Sequence, residues 1–511
     1  MIELASSPKS AEPKLRASSY VIYVDLPNKR DEWLLLHGYT GTYDKVSRNV
    51  AAYVRGLETE RVAKPLYGSW EADELDSASV APPSPETLQL LKRRGYLTQK
   101  THDEEVELFT KIVDGMHRAQ TVQARHYVLM PTYNCNLRCH YCFQDHMRTD
   151  VRYKGLLRPM SVEMADRIMA GFDDVDSQFH GLPLGEPRSR RFTLFGGEPL
   201  LAASRPIVEH LIRTQQERCD ADFTAITNAT ELEAFYDLLG PNGIRSVQIT
   251  IDGPPQLHDK RRIYADGSGS FDKIAKNLTA ALERQTKVSV RVNVDRKNFE
   301  AIPELAHRMV KEGWPHDKNF SAYLAPVHDY SGSKGAGERS DFFNSWELSE
   351  ALIQLHVADR VTKVFGRVDG SMRDRTQKLF DSGNRPDMKA AFCGAHTGMY
   401  IFDAFGDIYA CWDRTGDQNL KIGSVNEDGK VTMNGVGEQW RSRNVASNPT
   451  CQRCRYALHC GGGCAALAEV SSGSIFSNFC DAYSKRFRTA VAEAYNRHAK
   501  RSTPTRLFQD A

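Results

Sequence analysis

Residues 125–144 read RHYVLMPTYNCNLRCHYCFQ, and the fold turns on how this stretch is parsed. RHYVLM (125–130) reads as a strand ended by Pro131. A loop follows at once with Cys135, Cys139 and Cys142, spaced Cys-x3-Cys-x2-Cys. Beyond it strands and helices alternate. A helix carries Ala165, Ile168, Met169 and Phe172, and strand 191–195 precedes helix 205–217. Strand 223–227 leads to a helix with Leu232, Phe235, Tyr236 and Leu239, stopped by Gly240. Strand 246–251 leads to a helix with Phe271, Ile274, Leu278 and Leu282. Strand 287–294 leads to a helix with Ile302, Leu305 and Met309, stopped by Gly313. Strand 319–325 closes the series, with a helix around Leu348, Leu352 and Leu355.

Six strand–helix units predict an α/β fold with a parallel sheet, and their number suggests a partial (β/α)6 TIM-like barrel over residues 121–330. Catalytic groups are then expected just after the strands, at their C-terminal ends. Upstream, YVIYVDL and EWLLLHG read as two strands joined by the polar turn Pro27–Arg30. Ser47 precedes a helix with Val50, Tyr53, Val54 and Leu57 on one face. Ser84, Pro85 and Gly95 read as N-cap, first residue and stop of another helix with Leu88 and Leu91 inward. A further helix places Val106, Phe109 and Val113 on one face. The expected organisation is a flexible tail (1–19), a small α+β N-terminal module (20–120) with a linker or loop over 60–83, the barrel, a helical connection (331–390), a cysteine-rich domain (391–485) and a C-terminal helix and tail (486–511). The basic helix SKRFRTAVAEAYNRHAKR (484–501) is expected to pack on the cysteine-rich domain through Phe487, Val491, Ala494 and Tyr495.

Composition narrows the class. The chain has 511 residues, with 67 Lys and Arg against 65 Asp and Glu, so a net charge of +2 gives no field for nucleic acid. Hydrophobic residues at 41% exclude wholesale disorder. No long apolar run predicts a membrane span, and the N-terminus lacks a signal-peptide core, so a cytoplasmic protein with reduced thiols is expected. Eleven cysteines, an odd count, do not make a disulfide framework. Their crowding points to metal: three at 135–142, seven from Cys393 to Cys480, and Cys219 alone.

Three thiolates on a short loop can ligate three irons of a cubane and leave the fourth open to a substrate or cofactor. Zinc is the alternative, with His140 or His146 as a fourth ligand. Cys135-x3-Cys139-x-Tyr141-Cys142 resembles the CxxxCxφC motif of the radical S-adenosylmethionine enzymes. Further matches to that family lie at successive strand ends: Gly196-Gly197-Glu198-Pro199, Thr227-Asn228, Asp252-Gly253-Pro254 followed by His258-Asp259 and Arg262, and Asn293. The resemblance implies a [4Fe–4S] cluster on Cys135, Cys139 and Cys142, with S-adenosylmethionine on the open iron. Gly196, Gly197 and Glu198 would hold its amino group, Thr227 and Asn228 its ribose, and Arg262 its carboxylate. Tyr141, Asp252 and Asn293 would complete the cofactor pocket, while Arg261 would be a solvated surface charge if the match were accidental.

The C-terminal seven run Cys393, Cys411, Cys451-x2-Cys454-x5-Cys460-x3-Cys464 and Cys480. Zinc ribbons would also fit CxxC. The whole pattern resembles the SPASM domain, which implies two auxiliary [4Fe–4S] clusters and three clusters in all. Cys393, Cys411 and Cys464 would hold the first, and Cys451, Cys454, Cys460 and Cys480 the second. The stretch 384–392 supplies no fourth cysteine, leaving an open iron, Asp387 or another non-thiolate ligand. Cys219 precedes a strand, at the wrong end of the barrel, and reads as a bystander. Sulfatase maturases carry an aspartate immediately after the second of these cysteines. Here Trp412 stands there and Asp413 one later, a shift that in a strand would reverse its facing. Asp413, or Asp417, remains a candidate base.

The function expected is that of a peptide-maturase-type radical enzyme. It would abstract a hydrogen from a side chain of a ribosomal precursor peptide and form a C–C, C–O or C–S crosslink or oxidise the residue. A flavodoxin or ferredoxin would donate electrons, and residues 20–100 would be a winged-helix-like element taking the leader peptide by strand addition, or a structural cap on the barrel mouth. The alternatives are a radical dehydrogenase of a small molecule, a sulfatase-maturase-like protein oxidase, and a non-enzymatic zinc or iron–sulfur scaffold.

Overall fold

The computed structural model describes residues 14–501 apart from 27–28, 30, 60–79, 124, 184–187, 331, 333–339 and 384–386. Residues 1–13 of the expected tail, most of the 60–83 linker and much of the Pro27–Arg30 turn lie outside the described residues. Structure begins before Tyr20. Strand β1 (Arg16–Ala17) is held by a buried ion pair from Arg16 Nη2 to Glu105 at 2.7 Å. The N-terminal sheet is β2 (Val21–Asp25), β3 (Glu32–His37) and β4 (Tyr43–Ser47), all antiparallel, and β5 (Leu97–Thr98) pairs with β1. The third strand was missed because YDKVS has no apolar alternation. Ser47 caps helix Arg48–Gly56 by accepting from Val50 N at 3.3 Å, and Ser84 does the same for Thr87 N of helix Pro85–Arg93. Helix His102–Gln123 buries Phe109 and Val113 and leads into the barrel.

The barrel strands are β6 (His126–Leu129), β8 (Ser189–Leu194), β9 (Asp220–Thr227), β10 (Ile244–Thr250), β12 (Lys287–Val294) and β13 (Phe320–Pro326). Two short strands, β7 (Leu137–Cys139) and β11 (Arg262–Tyr264), pair with each other above them. Every neighbouring pair in the series β6-β8-β9-β10-β12-β13 is parallel, and sequence order equals spatial order. Intervening helices include Val162–His180, Arg205–Arg218, Phe271–Glu283 and Ile302–Lys311. The unit expected to be an α-helix around Leu232–Leu239 is instead a 3-10 helix, Leu232–Leu238, although Gly240 does end it with φ +109°.

Strand β12 shows how sequence sets the layers. Val288, Val290, Val292 and Val294 are all buried beneath the helices. Burying each contributes roughly 1.5–3 kcal/mol. The period of two turns Ser289, Arg291 and Asn293 to the opposite, half-buried face, which is the barrel interior.

The sheet has more strands than expected. β14 (Met399–Phe402) lies parallel on the free edge of β6, and β15 (Asp407–Tyr409), β16 (Gly423–Val425) and β17 (Val431–Met433) extend it antiparallel. The result is one ten-stranded mixed sheet running from β13 to β17. Among the described residues its two ends do not pair, so the barrel is open. The C-terminal helix Tyr483–Arg501 packs Phe487, Val491 and Ala494 against Ile22, Val24, Leu34 and Leu36 of the N-terminal sheet and against helix Gly370–Ser382. It also packs on the cysteine-rich domain, as expected: Phe487 stacks on His459 with ring centroids 4.6 Å apart, and Tyr483 OH donates to His459 O at 2.6 Å. No described helix is long and apolar enough to cross a membrane.

Candidate active site

The cysteine loop leaves β6 and is clamped by the turn after β8. A Cβ on Gly196 (φ +142°) would lie 2.4 Å from Thr132 O, and one on Gly197 would lie 2.2 Å from Tyr133 O. Gly197 N donates to Thr132 O at 3.1 Å, and Glu198 N to Asn134 O at 2.7 Å. What these glycines admit is therefore the backbone of the cysteine loop. Arg262 pairs across β11 and β7 with Cys139, which brings the segment after β10 against the same loop.

The polar side chains of the strand ends gather in two networks around this loop. In one, the buried Glu198 carboxylate accepts from Thr227 Oγ1 (2.6 Å), Leu200 N (2.9 Å) and Asn228 N. Burial pushes its carboxyl up to about 7 despite these donors. Asn228 Nδ2 donates to Asn136 Oδ1 at 3.0 Å and lies 3.7 Å from Cys135 Sγ. In the other, the Tyr141 hydroxyl is the hub. It donates to Asp252 and accepts from Arg262 Nη1 (2.6 Å) and Asn293 Nδ2 (3.1 Å). Asn293 N closes the ring on Asp252 Oδ1 at 3.0 Å. Arg262 Nε is buried with no hydrogen-bond partner among the described residues, so a donor is left over for an anion. Arg261 is not solvated: it is 5% exposed and its Nη1 meets Asp295 at 3.0 Å.

Cys135 and Cys142 lie close enough to Cys139 to bear on its ionisation, and Cys142 likewise bears on Cys135. Burial, with that repulsion, pushes Cys135 up to about 11 and Cys139 to about 12. Among the described residues no three His, Cys, Asp or Glu side chains are gathered tightly enough to hold a single metal ion. His140 packs edge-on against Tyr141, and His146 against Tyr153. Three thiols on one short stretch, Cys139 buried and Cys135 and Cys142 half-buried, are the donor chemistry that an iron–sulfur centre uses.

The C-terminal cysteines fall into two neighbourhoods. Burial raises Cys411 well above the usual thiol range, and the charges that add to it are Asp413, Cys464 and Cys393. Burial likewise raises Cys451, with Cys454, Cys460 and Cys480 as its charged neighbours. Residue Asp387 is exposed, and 384–386 lie outside the described residues. Trp412–Arg414 is a 3-10 turn, not a strand, so the expected reversal of facing does not apply. Trp412 packs edge-on against Phe195, and Asp413 Oδ2 lies 4.0 Å from Cys411 Sγ. Burial lifts the Asp413 carboxyl to about 6. Asp417 instead caps the 3-10 turn Gln418–Leu420. The two cysteine regions are joined directly: Gln144 Nε2 donates to Thr415 Oγ1 at 2.9 Å, and Tyr133 OH to Asp403 at 2.9 Å. Cys219 is remote from both, at the start of β9, with its thiol donating to Gln215 O at 3.4 Å.

Sequence reasoning missed three cations. Arg148 Nη2 donates to Cys142 Sγ at 3.2 Å. Arg291 Nε donates to Asn293 Oδ1 at 2.8 Å, and its charge also reaches Asp413. Arg443, buried, feels cysteines of both C-terminal neighbourhoods, namely Cys451, Cys393, Cys464 and Cys460. It donates to the carbonyls of Gly463 (3.1 Å), Ser477 (3.0 Å) and Ile475. The strand phase of KVSVRVNV could have found Arg291, whereas no motif marks the other two.

Comparison with known proteins agrees with this geometry. Residues 129–309 match the model of the Radical SAM superfamily. The chain is 20% identical over 373 residues to a cysteine-type anaerobic sulfatase-maturating enzyme of Clostridium novyi (strain NT), covering 70% of this chain and 93% of that protein. It is 26% identical over 235 residues to the GTP 3',8-cyclase of Bradyrhizobium diazoefficiens, covering 45% of this chain and 59% of the cyclase. The solved structure of native anSMEcpe with bound AdoMet and Cp18Cys peptide superposes with a TM-score of 0.53 at 17% identity, covering 74% of this chain and 100% of that one. Residues 129–309 of this chain thus carry a radical SAM domain.

Proposed function

We propose that the chain is a radical S-adenosylmethionine enzyme of the SPASM type that oxidatively modifies a side chain of a ribosomal precursor peptide. The observation that carries this reading is the meeting, at one barrel mouth, of three thiols, Cys139 buried and Cys135 and Cys142 half-buried, with Glu198 on one side and the Tyr141–Asp252–Arg262–Asn293 network on the other. In this reading Cys135, Cys139 and Cys142 hold the radical-generating [4Fe–4S] cluster. With S-adenosylmethionine bound, that cluster supplies a 5′-deoxyadenosyl radical able to abstract hydrogen from carbon. Glu198, ionised, faces the cofactor's ammonium, and the spare Arg262 N–H faces its carboxylate. Gly196 and Gly197 seat the turn, and Thr227 and Asn228 orient Glu198 and the ribose edge. Cys393, Cys411 and Cys464, and separately Cys451, Cys454, Cys460 and Cys480, hold two auxiliary clusters whose chemistry is electron transfer. Asp413 takes the proton that leaves the substrate. Flavodoxin or ferredoxin is the electron donor, and the domain limits are close to those read from the sequence, with the N-terminal module starting at Arg16 and the C-terminal helix at Tyr483.

In this reading peptide capture falls to the N-terminal module. Among the described residues β4 is paired on one side only, and a groove lined by Val46, Val50, Leu90 and Leu91 runs between it and helix Pro85–Arg93. An extended leader could add to that edge. Leu90→Arg is expected to weaken binding of a labelled precursor peptide at least ten-fold. Unchanged affinity would favour a small-molecule substrate. A second reading, protein oxidation of the sulfatase-maturase kind, is favoured by Asp413 beside Cys411 and by the Clostridium novyi relative. Mass spectrometry of a co-expressed peptide tests both: loss of two hydrogens at a crosslinked pair supports the first, and an aldehyde at a single Cys or Ser supports the second.

A further inference from the structure

Arg148 belongs to no motif and stands on the short helix His146–Thr149 that follows Cys142. Its side chain is 2% exposed, and its Nη2 donates to Cys142 Sγ at 3.2 Å. Asp145, the carboxylate beside it, stands off at 3.7 Å, outside hydrogen-bond reach. The two remaining kinds of donor, Nε and Nη1, are buried with no partner among the described residues. A buried guanidinium with empty donors is costly unless an anion completes it. The acidic groups that bear on it most strongly are the thiols of Cys142 and Cys135. A sulfur-rich anionic group at the cysteine loop would complete its surroundings.

We propose that Arg148 is a positioning residue for the barrel cluster, fixing one positive charge against Cys142, offering the empty donors on Nε and Nη1 to the cluster's sulfur and thereby raising the cluster's reduction potential. The proposal rests on reading Cys135, Cys139 and Cys142 as cluster ligands. Reduction adds a negative charge, so a cation held at hydrogen-bond distance in a buried site favours the reduced form, and hydrogen bonds to sulfur act in the same direction. The substitution Arg148→Lys would keep the charge but not the planar fork of donors.

The test is a redox titration of the anaerobically reconstituted full-length protein, followed by the electron paramagnetic resonance signal that S-adenosylmethionine perturbs. Arg148→Gln is expected to move the midpoint to more negative potential with iron content unchanged, and Arg148→Lys to move it less. An Arg148→Gln midpoint equal to the wild type would overturn the proposal. Should Arg148→Gln hold less iron, a folded variant rescued by Arg148→Lys supports it, whereas both variants losing iron together with their cooperative melting would assign Arg148 to packing alone. The underlying cluster reading fails separately, if the wild type holds no more iron than a Cys135→Ala/Cys139→Ala/Cys142→Ala variant.

Discussion

The barrel cysteines and the C-terminal cysteines are brought together by different construction. Cys135, Cys139 and Cys142 lie on one short segment around β7, and the glycine turn after β8 holds the start of that segment by its backbone. The C-terminal seven are spread from Cys393 to Cys480 and are gathered by tertiary structure. Between Cys460 and Cys464 the chain passes through Gly461, Gly462 and Gly463, all left-handed at φ +80°, +85° and +77°. A Cβ on Gly463 would lie 1.8 Å from Phe479 O. The first region is local and depends on a few clamps, while the second is assembled over distance and depends on buried backbone contacts. Damage should therefore propagate differently in the two.

The largest expected effect is that of Gly463→Ala. Backbone strain of about 1–3 kcal/mol adds to a clash with main chain that cannot move aside. Iron should fall by about eight per chain while the signal perturbed by S-adenosylmethionine survives, since two of three four-iron groups would be lost. Iron analysis and electron paramagnetic resonance on one sample check both halves. Equal loss from both regions would erase the distinction.

Next comes Arg443→Gln, which strips donors from several buried carbonyls. An unsatisfied buried group costs about 1–3 kcal/mol, so a total of at least ~3 kcal/mol is expected. Denaturant melting of the holoprotein reads it. The barrel region answers with Glu198→Gln, which removes a charge rather than a scaffold. The expected loss is about ten-fold in S-adenosylmethionine affinity, the size of one charge-assisted hydrogen bond. The pH dependence has a definite sign. Burial raises the Glu198 carboxyl to about 7, so it is neutral below that pH and ionised above it. Affinity for a cationic amine should weaken as pH falls through 7 in the wild type and lose that dependence in Glu198→Gln, as calorimetry at pH 6 and 8 would show. The smallest effect is Asn478→Ala, which removes one 3.1 Å bond from Nδ2 to Cys480 Sγ. About 0.5–1.5 kcal/mol of stability should go, with iron content unchanged.

Much of the barrel was legible because its signals are local. Alternating valines on β12, Gly313 behind helix Ile302–Lys311 and the Ser84–Pro85 cap each declare an element within a few residues. The barrel site was legible for the same reason, since its residues sit at strand ends where the order of the chain predicts the order in space. What stayed hidden depends on tertiary pairing. MYIF gives no sign that it will lie along β6, and YDKVS gives no sign of a strand. Arg148 and Arg443 look like any surface arginine until the fold buries them against sulfur. The facing of Asp413 was misread because a strand was assumed where Cys411 is followed by a helical turn.

The central claim is that the barrel loop makes the radical and the C-terminal seven do not. Its most direct test is 5′-deoxyadenosine formation from S-adenosylmethionine under reducing, anaerobic conditions by Cys139→Ala, with iron counted on the same sample. The account predicts no 5′-deoxyadenosine above background and a loss of about four irons from a total of about twelve. Reductive cleavage at the wild-type rate by Cys139→Ala would contradict it.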